Sequence, residues 1–328
     1  MPISPKPQGL STVLRGLLRE NPLVTTVWGG TPHHAQLVQA AGFPVFGMSG
    51  SLASTQLLGL PDIGLLTMTE MVQNVQRICR AVSIPVIVDC DTGFGNAINV
   101  RRTVEEVIRA GAAGMFMEDQ VSPKRCGFLR GKDVISQEEA VGKYRAACDV
   151  RDALDPDFLI IARTDARGAP SGSVGDVISR CQAYIEAGAD VFYPEALQSR
   201  EEIFAVRKAV AHGLMTLPTT YLVPPPSREE MIQMGLCFSW AFLEQVGAVA
   251  MYDFLVDYRT RGELARIQQA ESIENHPLGG SVRTGYGIYN LTGLPELTRL
   301  ERRYLPAELL ERRQQSTGIS SATSGRVE

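Results

Sequence analysis

Short apolar runs alternate with longer amphipathic stretches along most of this chain, and that alternation limits the folds it can adopt. Eight apolar runs have the length of β-strands, at 24–28, 44–48, 84–89, 113–118, 158–163, 190–194, 214–219 and 236–240. Stretches with helical spacing of apolar residues lie between them, at 69–82, 100–110, 137–152, 173–187 and 199–210. Strands that alternate with helices indicate a parallel sheet, because each parallel connection must return to the opposite end of the sheet.

Glycine marks the joints of this pattern. Five glycines come just before a predicted strand: Gly42, Gly111, Gly188, Gly213 and Gly235. Glycine at a helix C-terminus adopts the left-handed conformation at low cost and turns the chain back. Eight strand–helix units between about residues 20 and 245 predict an α/β fold, a (β/α)8 TIM barrel, with a doubly wound open sheet as the alternative.

The barrel does not account for the whole chain. We predict a barrel domain over 1–260 that includes an N-terminal helix, and a C-terminal helical extension over 261–314. The extension contains a charged helix near 294–314. The last residues, 315–328, are mostly small and polar, which predicts a disordered tail.

Composition argues against several classes of function. The 328 residues carry 32 Lys and Arg against 36 Asp and Glu, so a net charge of −4 gives no electrostatic reason to bind nucleic acid or an anionic membrane. No apolar run reaches the roughly 18 residues of a membrane span, and the start of the chain lacks the apolar core of a signal peptide. The six cysteines show neither metal-site spacing nor a disulfide framework. We therefore expect a cytoplasmic protein that acts on a small molecule.

Carboxylates end two neighbouring strands of the predicted barrel. Asp89 and Asp91 follow the third strand, and Glu118 ends the fourth. The C-terminal strand ends of such a barrel line its active site. Two buried acids one residue apart need a compensating charge, and hard oxygen ligands, some acting through water, suit Mg2+ or Mn2+ better than zinc. The other polar residues expected at this rim are Ser49, Gly50, Arg163, Asp165 and Glu195.

Arg163 and Cys126 complete the candidate site. Arg163 ends an apolar strand, where its guanidinium can bind a carboxylate or phosphate; an internal salt bridge to Asp165 or Glu195 is the alternative. Cys126 lies in a polar loop near four cationic side chains: Lys124, Arg125, Arg130 and Lys132. These charges should favour the thiolate, so the cysteine is expected to act as a base or an acid near neutral pH.

Several motifs resemble those of the isocitrate lyase/phosphoenolpyruvate mutase superfamily. They are Leu58–Asp62, Asp89–Asn96, Glu118–Gln120, Pro123–Gly127, Gly131–Lys132 and Ile161–Asp165. The resemblance implies a homotetramer, a dimer of dimers, in which paired subunits exchange the eighth barrel helix. It also implies Mg2+ bound through Asp91, with Asp89 and Glu118 acting largely through water. The loop that carries Cys126 is then expected to close over an α-keto acid or its enolate.

The Lys124–Gly127 motif is similar to that of the carbon–carbon lyases of this superfamily. The resemblance implies Mg2+-dependent cleavage of a 2-hydroxy di- or tricarboxylate, such as 2-methylisocitrate or 2,3-dimethylmalate, to an α-keto acid and a second carboxylic acid. Arg163 would anchor an anionic group of this carboxylate substrate, and Cys126 would protonate the departing carbanion. The implied catalytic residues are Lys124, Cys126, Gly127 and Arg163. The implied substrate-binding residues are Ser49, Gly50, Ser51, Asp62, Arg163, Glu195 and Thr219.

Several positions depart from the pattern of those lyases. The loop has Phe128 where a histidine is usual, and Gly47 replaces an aromatic residue two positions before Ser49. Losing two rings predicts a roomier, more apolar pocket. The segment Leu217–Tyr221 is more similar to the phosphonopyruvate branch. The alternatives are therefore a phosphonopyruvate or carboxyphosphonoenolpyruvate mutase or hydrolase, an oxaloacetate acetylhydrolase, or a non-catalytic homologue that binds a keto acid.

Overall fold

The structure is a computed structural model that describes residues 9–274, 276–279 and 287–315. Its strands in this part of the chain are β1 (Val24–Gly29), β2 (Val45–Met48), β3 (Val86–Asp89), β4 (Gly114–Glu118), β5 (Leu159–Thr164), β6 (Val191–Pro194), β7 (Leu214–Met215) and β8 (Phe238–Phe242). They form one parallel sheet in which each strand from β1 to β6 pairs with the next, and β8 pairs with β1. A parallel bridge between Met215 and Leu236 joins β7 to the segment before β8. The sheet therefore closes on itself, which confirms the predicted (β/α)8 barrel over an open sheet.

Helices alternate with the strands, as the apolar periodicity predicts. The helices of the barrel unit are α1 (Leu10–Glu20), α2 (Pro32–Ala40), α3 (Gly50–Ala53), α4 (Met68–Ala81), α5 (Ala97–Ala110), α6 (Gln137–Leu154), α7 (Val174–Glu186), α8 (Arg200–Ala209) and α9 (Arg228–Gln233). A π-helical turn at Ser54–Leu58 and a 3-10 turn at Ala166–Gly168 add to these. The five predicted helices match α4 to α8 within three residues at each end.

Local sequence signals account for most of these bounds. Thr67 begins α4 in a capping box with Glu70, in which each side chain bonds to the other residue's backbone N–H. The five joint glycines all have positive φ, between 75° and 105°. The seventh strand is an exception to the prediction over 214–219, since β7 covers only Leu214–Met215. Pro218 lacks the N–H that a longer strand would need there.

The core has two layers, because successive side chains of a strand point to opposite faces. Val27 packs outward, in a cluster with Val75 and Ile78 of α4. The next residue, Trp28, points into the barrel, where it belongs to a second cluster with Phe116 of β4. Inward-pointing residues at the C-terminal ends of the strands therefore converge at the mouth of the barrel.

A second compact unit begins at Glu244, and the barrel unit ends at Leu243. The second unit contains α10 (Glu244–Arg261), α11 (Glu263–Glu274), α12 (Gly287–Leu291), α13 (Leu294–Tyr304) and α14 (Ala307–Gln315). The charged helix predicted near 294–314 is two helices, because the ring of Pro306 cannot lie inside a helix. The predicted domain limits at 260 and 314 remain predictions, and the predicted tail lies outside the described residues after residue 315. Within the described ranges, no helix is both long enough and apolar enough to cross a membrane.

Candidate active site

The ends of β3 and β4 bring the three predicted metal-binding carboxylates to the barrel mouth. Asp89 is buried, its Oδ2 accepting a hydrogen bond from the Gly50 N–H at 3.0 Å and its Oδ1 one from the Asp91 N–H at 3.1 Å. Asp91 has a φ of 48°, which is uncommon for a residue with a side chain. Its carbonyl accepts a hydrogen bond from the Glu118 N–H at 2.8 Å. This bond ties the end of β4 to the turn after β3.

A buried lysine joins these carboxylates to the loop after β4. The Lys124 Nζ lies 2.5 Å from the Asp62 Oδ1 and 2.9 Å from the Asp91 Oδ1. The Asp62 carbonyl also accepts a hydrogen bond from the Cys126 N–H at 3.0 Å. Asp62 therefore holds the loop through its side chain and its backbone, and so fixes the part that carries Cys126.

The three carboxylates Asp89, Asp91 and Glu118 together carry more negative charge than the neighbouring cations balance. Burial raises the pKa of Asp91 to about 7; the charge of Lys124 opposes this rise and that of Asp89 adds to it. Burial also raises the pKa of Asp89, and it raises the pKa of Glu118 well above its usual value. The buried Glu118 Oε2 has no hydrogen-bond partner within the described part of the chain. Hard oxygen donors that lack a compensating charge are suited to a divalent cation.

The arrangement favours a cation that keeps much of its water. Among residues 9–274, 276–279 and 287–315, no three His, Cys, Asp or Glu side chains are placed to hold one ion directly. Mg2+ retains several waters and commonly contacts a protein through one or two carboxylates. The chemistry of these oxygen donors is therefore compatible with a hydrated Mg2+ that has few direct protein ligands.

Arg163 of β5 lies beside Glu118 of β4 and makes the internal salt bridge that was the alternative to anion binding. Its Nε and one terminal nitrogen donate to the two oxygens of Asp165 at 2.8 and 3.0 Å. Its other terminal nitrogen lies 3.4 Å from the Glu118 Oε2, and the guanidinium is 5.1 Å from the centre of the Tyr193 ring. Two of the five guanidinium N–H groups therefore donate to Asp165, and the other terminal nitrogen faces the carboxylate of Glu118.

The expected thiolate at Cys126 is wrong for this structure. Burial raises the pKa of the Cys126 thiol, and the neighbouring cations Arg163 and Lys124 do not offset it. The Lys124 ammonium is itself paired with carboxylates, and Arg125 and Arg130 are exposed to solvent. Cys126 is therefore a neutral thiol at neutral pH, which suits a proton donor better than a base.

A family model described as phosphoenolpyruvate phosphomutase matches residues 17–239, which include all of the strand-end carboxylates and the loop that carries Cys126. The chain belongs to this family. The match runs from within α1 to the start of β8 and so covers most of the barrel unit.

Two curated relatives and one solved structure show which members of the family this chain is similar to. The chain is 45% identical over 209 residues to a 2-methylisocitrate lyase from Aeropyrum pernix, covering 64% of this chain and 66% of that one. It is 43% identical over 197 residues to 2,3-dimethylmalate lyase from Eubacterium barkeri, covering 60% and 67%. It thus spans about two thirds of the length of these curated relatives. A crystal structure of phosphonopyruvate hydrolase in complex with oxalate and Mg2+ has a TM-score of 0.77 at 30% identity, covering 91% of this chain and 100% of that one.

This family member fills the space at Gly47 from another strand. A Cβ at residue 47 would lie 2.3 Å from the ring of Trp28, the residue beside it in β1. Trp28 stacks on Trp240 at 4.3 Å and meets Phe116 edge-on at 5.7 Å. The roomier pocket predicted from Gly47 is therefore wrong at this position. Trp28 was not predicted as a site residue from the sequence. The available signal was that it points inward from β1 and lies beside a glycine of β2.

The implied substrate-binding residues after β2, which are Ser49, Gly50 and Ser51, already make hydrogen bonds within the chain. The Ser49 Oγ accepts a hydrogen bond from the Leu52 N–H at 3.3 Å and caps α3. The Gly50 N–H donates to Asp89, so it is not free to bind a substrate carboxylate. A Cβ at residue 50 would lie 2.8 Å from the same Asp89 oxygen, which explains the need for glycine. Ser51 lies within α3, where its carbonyl accepts a hydrogen bond from the hydroxyl of Thr55.

The remaining predicted residues fall into two groups. Gly127 and Glu195 lie together, since a Cβ at residue 127 would be 2.8 Å from the Glu195 Oε1. Thr219 lies in the segment after β7, where its hydroxyl contacts the sulfur of Met231 at 3.7 Å.

Gln120 was not predicted as a site residue, although it belongs to the Glu118–Gln120 motif. Its amide donates to the Glu118 Oε1 at 3.0 Å and to the Arg125 carbonyl at 2.9 Å. Its position two residues after Glu118, on the same side of the chain, was the available signal.

Proposed function

We propose that this protein is a Mg2+-dependent carbon–carbon lyase. It cleaves a 2-hydroxy di- or tricarboxylate, of the 2-methylisocitrate or 2,3-dimethylmalate kind, to an α-keto acid and a second carboxylic acid. The observation that carries the proposal is a set of buried carboxylates short of positive charge, together with a half-buried thiol, Cys126, on a loop held by Lys124 and Asp62. The similarity to two lyases at 43% and 45% identity supports it.

Asp91 would hold the metal directly, with Asp89 and Glu118 acting through water, and Mn2+ is an alternative to Mg2+. The bound cation would supply electrostatic stabilisation for the negative charge that develops on the keto-acid fragment. The similarity to the phosphonopyruvate hydrolase structure, which contains oxalate and Mg2+, supports the choice of a divalent cation.

The chain's own residues supply the remaining chemistry. The Arg163 edge that faces Glu118 would bind an anionic group of the substrate. The Glu118 Oε2, which accepts no hydrogen bond within the described residues but lies 3.4 Å from a terminal nitrogen of Arg163, would accept the proton of the 2-hydroxyl group as the carbon–carbon bond breaks. The bonding electron pair leaves with the second fragment, and the Cys126 thiol would donate its proton to that carbon.

Proton NMR with a panel of 2-hydroxy dicarboxylates and tricarboxylates in the presence of Mg2+ tests this proposal. We expect wild type to release pyruvate or glyoxylate, and Cys126→Ser to be slower by about 100-fold to 10,000-fold, the usual contribution of a positioned acid. Arg130→Ala is the matched control, because Arg130 is an exposed residue of the same loop. Full activity of Cys126→Ser on the true substrate would remove the thiol from the mechanism.

Phosphorus–carbon chemistry is the second candidate. The family model carries the description phosphoenolpyruvate phosphomutase, and the phosphonopyruvate hydrolase structure aligns over 91% of this chain. Phosphorus NMR with phosphonopyruvate and phosphoenolpyruvate distinguishes the two candidates, since only this second activity changes a phosphorus resonance. Oxaloacetate belongs in the proton panel, where acetate and oxalate would identify a hydrolase. Calorimetric binding of oxalate without turnover of any compound would identify a keto-acid binder.

The proposal also includes the oligomeric state of the protein and its cellular compartment. We infer a homotetramer, a dimer of dimers with an exchanged helix, that works in the cytoplasm. Light scattering on the full-length chain gives the mass in solution, and a stable monomer of 35.7 kDa would contradict the tetramer.

A further inference from the structure

The loop between β4 and α6, residues 121–133 (the thiol loop), is exposed along most of its length. Phe128 is 61% exposed and Leu129 is 44% exposed. The loop buries two side chains, Lys124 and Lys132, each of which is 4% exposed. These lysines flank Cys126 in the sequence, so two buried ammonium groups fix the segment that carries the thiol.

The Lys132 ammonium joins that segment to a different barrel strand. Its Nζ donates to the Gly127 carbonyl at 2.5 Å and to the Asp165 Oδ1 at 2.9 Å. Gly127 directly follows Cys126, whereas Asp165 directly follows β5. Hydrogen bonds from a charged donor are stronger than neutral ones. Loss of the ammonium would therefore free the loop from β5 while leaving the Lys124 contacts in place.

Asp165 is a firmly held anchor for this contact. Its two oxygens accept from the Arg163 guanidinium, and its N–H donates to the Asp119 Oδ1 at 2.9 Å. The Asp119 Oδ2 in turn accepts from Arg180 at 3.1 Å and from the Tyr184 hydroxyl at 2.6 Å. All of these side chains are buried. The anchor is thus built by the protein itself and needs neither metal nor substrate.

The backbone of the thiol loop lies directly on Arg163. A Cβ at residue 127 would be 2.6 Å from a terminal nitrogen of Arg163, a distance that real Cβ atoms do not tolerate. The absence of a side chain at Gly127 is therefore what lets the loop approach this closely. The contact of Lys132 with the Gly127 carbonyl keeps the loop in that position.

We propose that Lys132 is a positioning residue that holds the thiol loop against Arg163 and thereby limits the exposure of Cys126. It acts through the Gly127 carbonyl and Asp165, and its role requires no contact with substrate. Lys124 is different, because its partners include the candidate metal ligand Asp91. The inference rests on the proposed function only for the role of Cys126 as an acid; the position of the loop does not depend on it.

Alkylation of Cys126 by iodoacetamide, followed by peptide mass spectrometry, measures this role without any substrate. The full-length wild type is compared with Lys132→Met and with Lys208→Met, which removes an exposed lysine of α8 as a matched control. We expect Lys132→Met to react about tenfold faster at Cys126, the scale of one lost hydrogen bond to a charged group. Lys208→Met should react like wild type. The fully buried Cys181 reports global opening in the same samples.

Two results would overturn the proposal. Equal Cys126 rates in wild type and Lys132→Met would show that the lysine does not control the loop. A parallel rise at Cys181 would show that the substitution loosens the whole barrel instead. If Lys132→Met does not fold, Lys132→Gln, which can keep one of the two hydrogen bonds, is judged by the same two rates. Because no turnover is measured, failure of the lyase assay leaves this result unchanged.

Discussion

Asp91 and Asp165 both lie at the mouth of one barrel, after β3 and after β5, yet their charges are compensated very differently. Burial alone would raise the pKa of Asp165, but the charges of Arg163 and Lys132 outweigh burial and lower it. At Asp91 burial prevails over the single cation Lys124 and raises the pKa to about 7. The protein completes the charge balance on the β5 side and leaves it incomplete on the β3 side, where an added cation would restore it.

The difference originates in two short sequences. Around Asp165 the chain reads Arg163-Thr-Asp165, and residues two apart in an extended chain face the same side. Around Asp91 it reads Asp89-Cys-Asp91, so the same spacing places two acids together. A cation two residues from an acid gives a self-contained ion pair, whereas two acids need a partner from elsewhere.

Removing the compensated acid should have the largest effect on stability. Asp165→Asn would leave Arg163 and Lys132 buried without their shared counter-charge, and breaking a buried pair costs about 3–5 kcal/mol. Urea unfolding of the two proteins measures this loss. Asp149→Asn, at a side chain that is 73% exposed, is the matched control and should match wild type. A loss at Asp165→Asn below about 1 kcal/mol would mean that this side of the mouth is not the fixed one.

Adding a cation should stabilise the other side of the mouth. At a free Mg2+ concentration 100 times its dissociation constant, the folded state gains about 2.7 kcal/mol. We expect Mg2+ to shift urea unfolding of wild type by this amount and to have no such effect on Asp91→Asn. Choline chloride at equal ionic strength controls for general salt effects. An equal Mg2+ shift in both proteins would place the cation elsewhere.

Without a divalent cation, removing the uncompensated acid should cost little. Asp91→Asn removes repulsion from Asp89, and Lys124 keeps its 2.5 Å contact with Asp62. We expect the free energy of unfolding in the presence of a chelator to change by less than about 1 kcal/mol, in contrast to Asp165→Asn. A loss as large as that of Asp165→Asn would show that both acids are equally compensated in the folded protein.

The sequence predicts most of this fold because the fold depends on local patterns. Apolar runs and joint glycines give seven of the strands within two residues, and the strand ends identify the rim. Interactions between residues that are far apart in the sequence could not be predicted from such patterns. Trp28 fills the space at Gly47 only because β1 and β2 pair in the register that sets them side by side. The four cations near Cys126 suggested a thiolate, but the structure pairs Lys124 with Asp62 and Asp91, and Lys132 with Asp165.

The smallest predicted effect concerns Cys126, which lies between the two sides of the mouth. Burial disfavours its charged form, so a higher pH is needed to generate the thiolate that reacts with iodoacetamide. The alkylation rate of wild type should therefore rise with a midpoint above the pH of about 8.5 that is typical of free cysteine, measured beside a short unstructured peptide with one internal cysteine. A midpoint below that of the peptide would mean that the neighbouring cations outweigh burial at the thiol. A midpoint at or below neutral pH would make Cys126 a thiolate there, and it could then not act as the proposed proton donor.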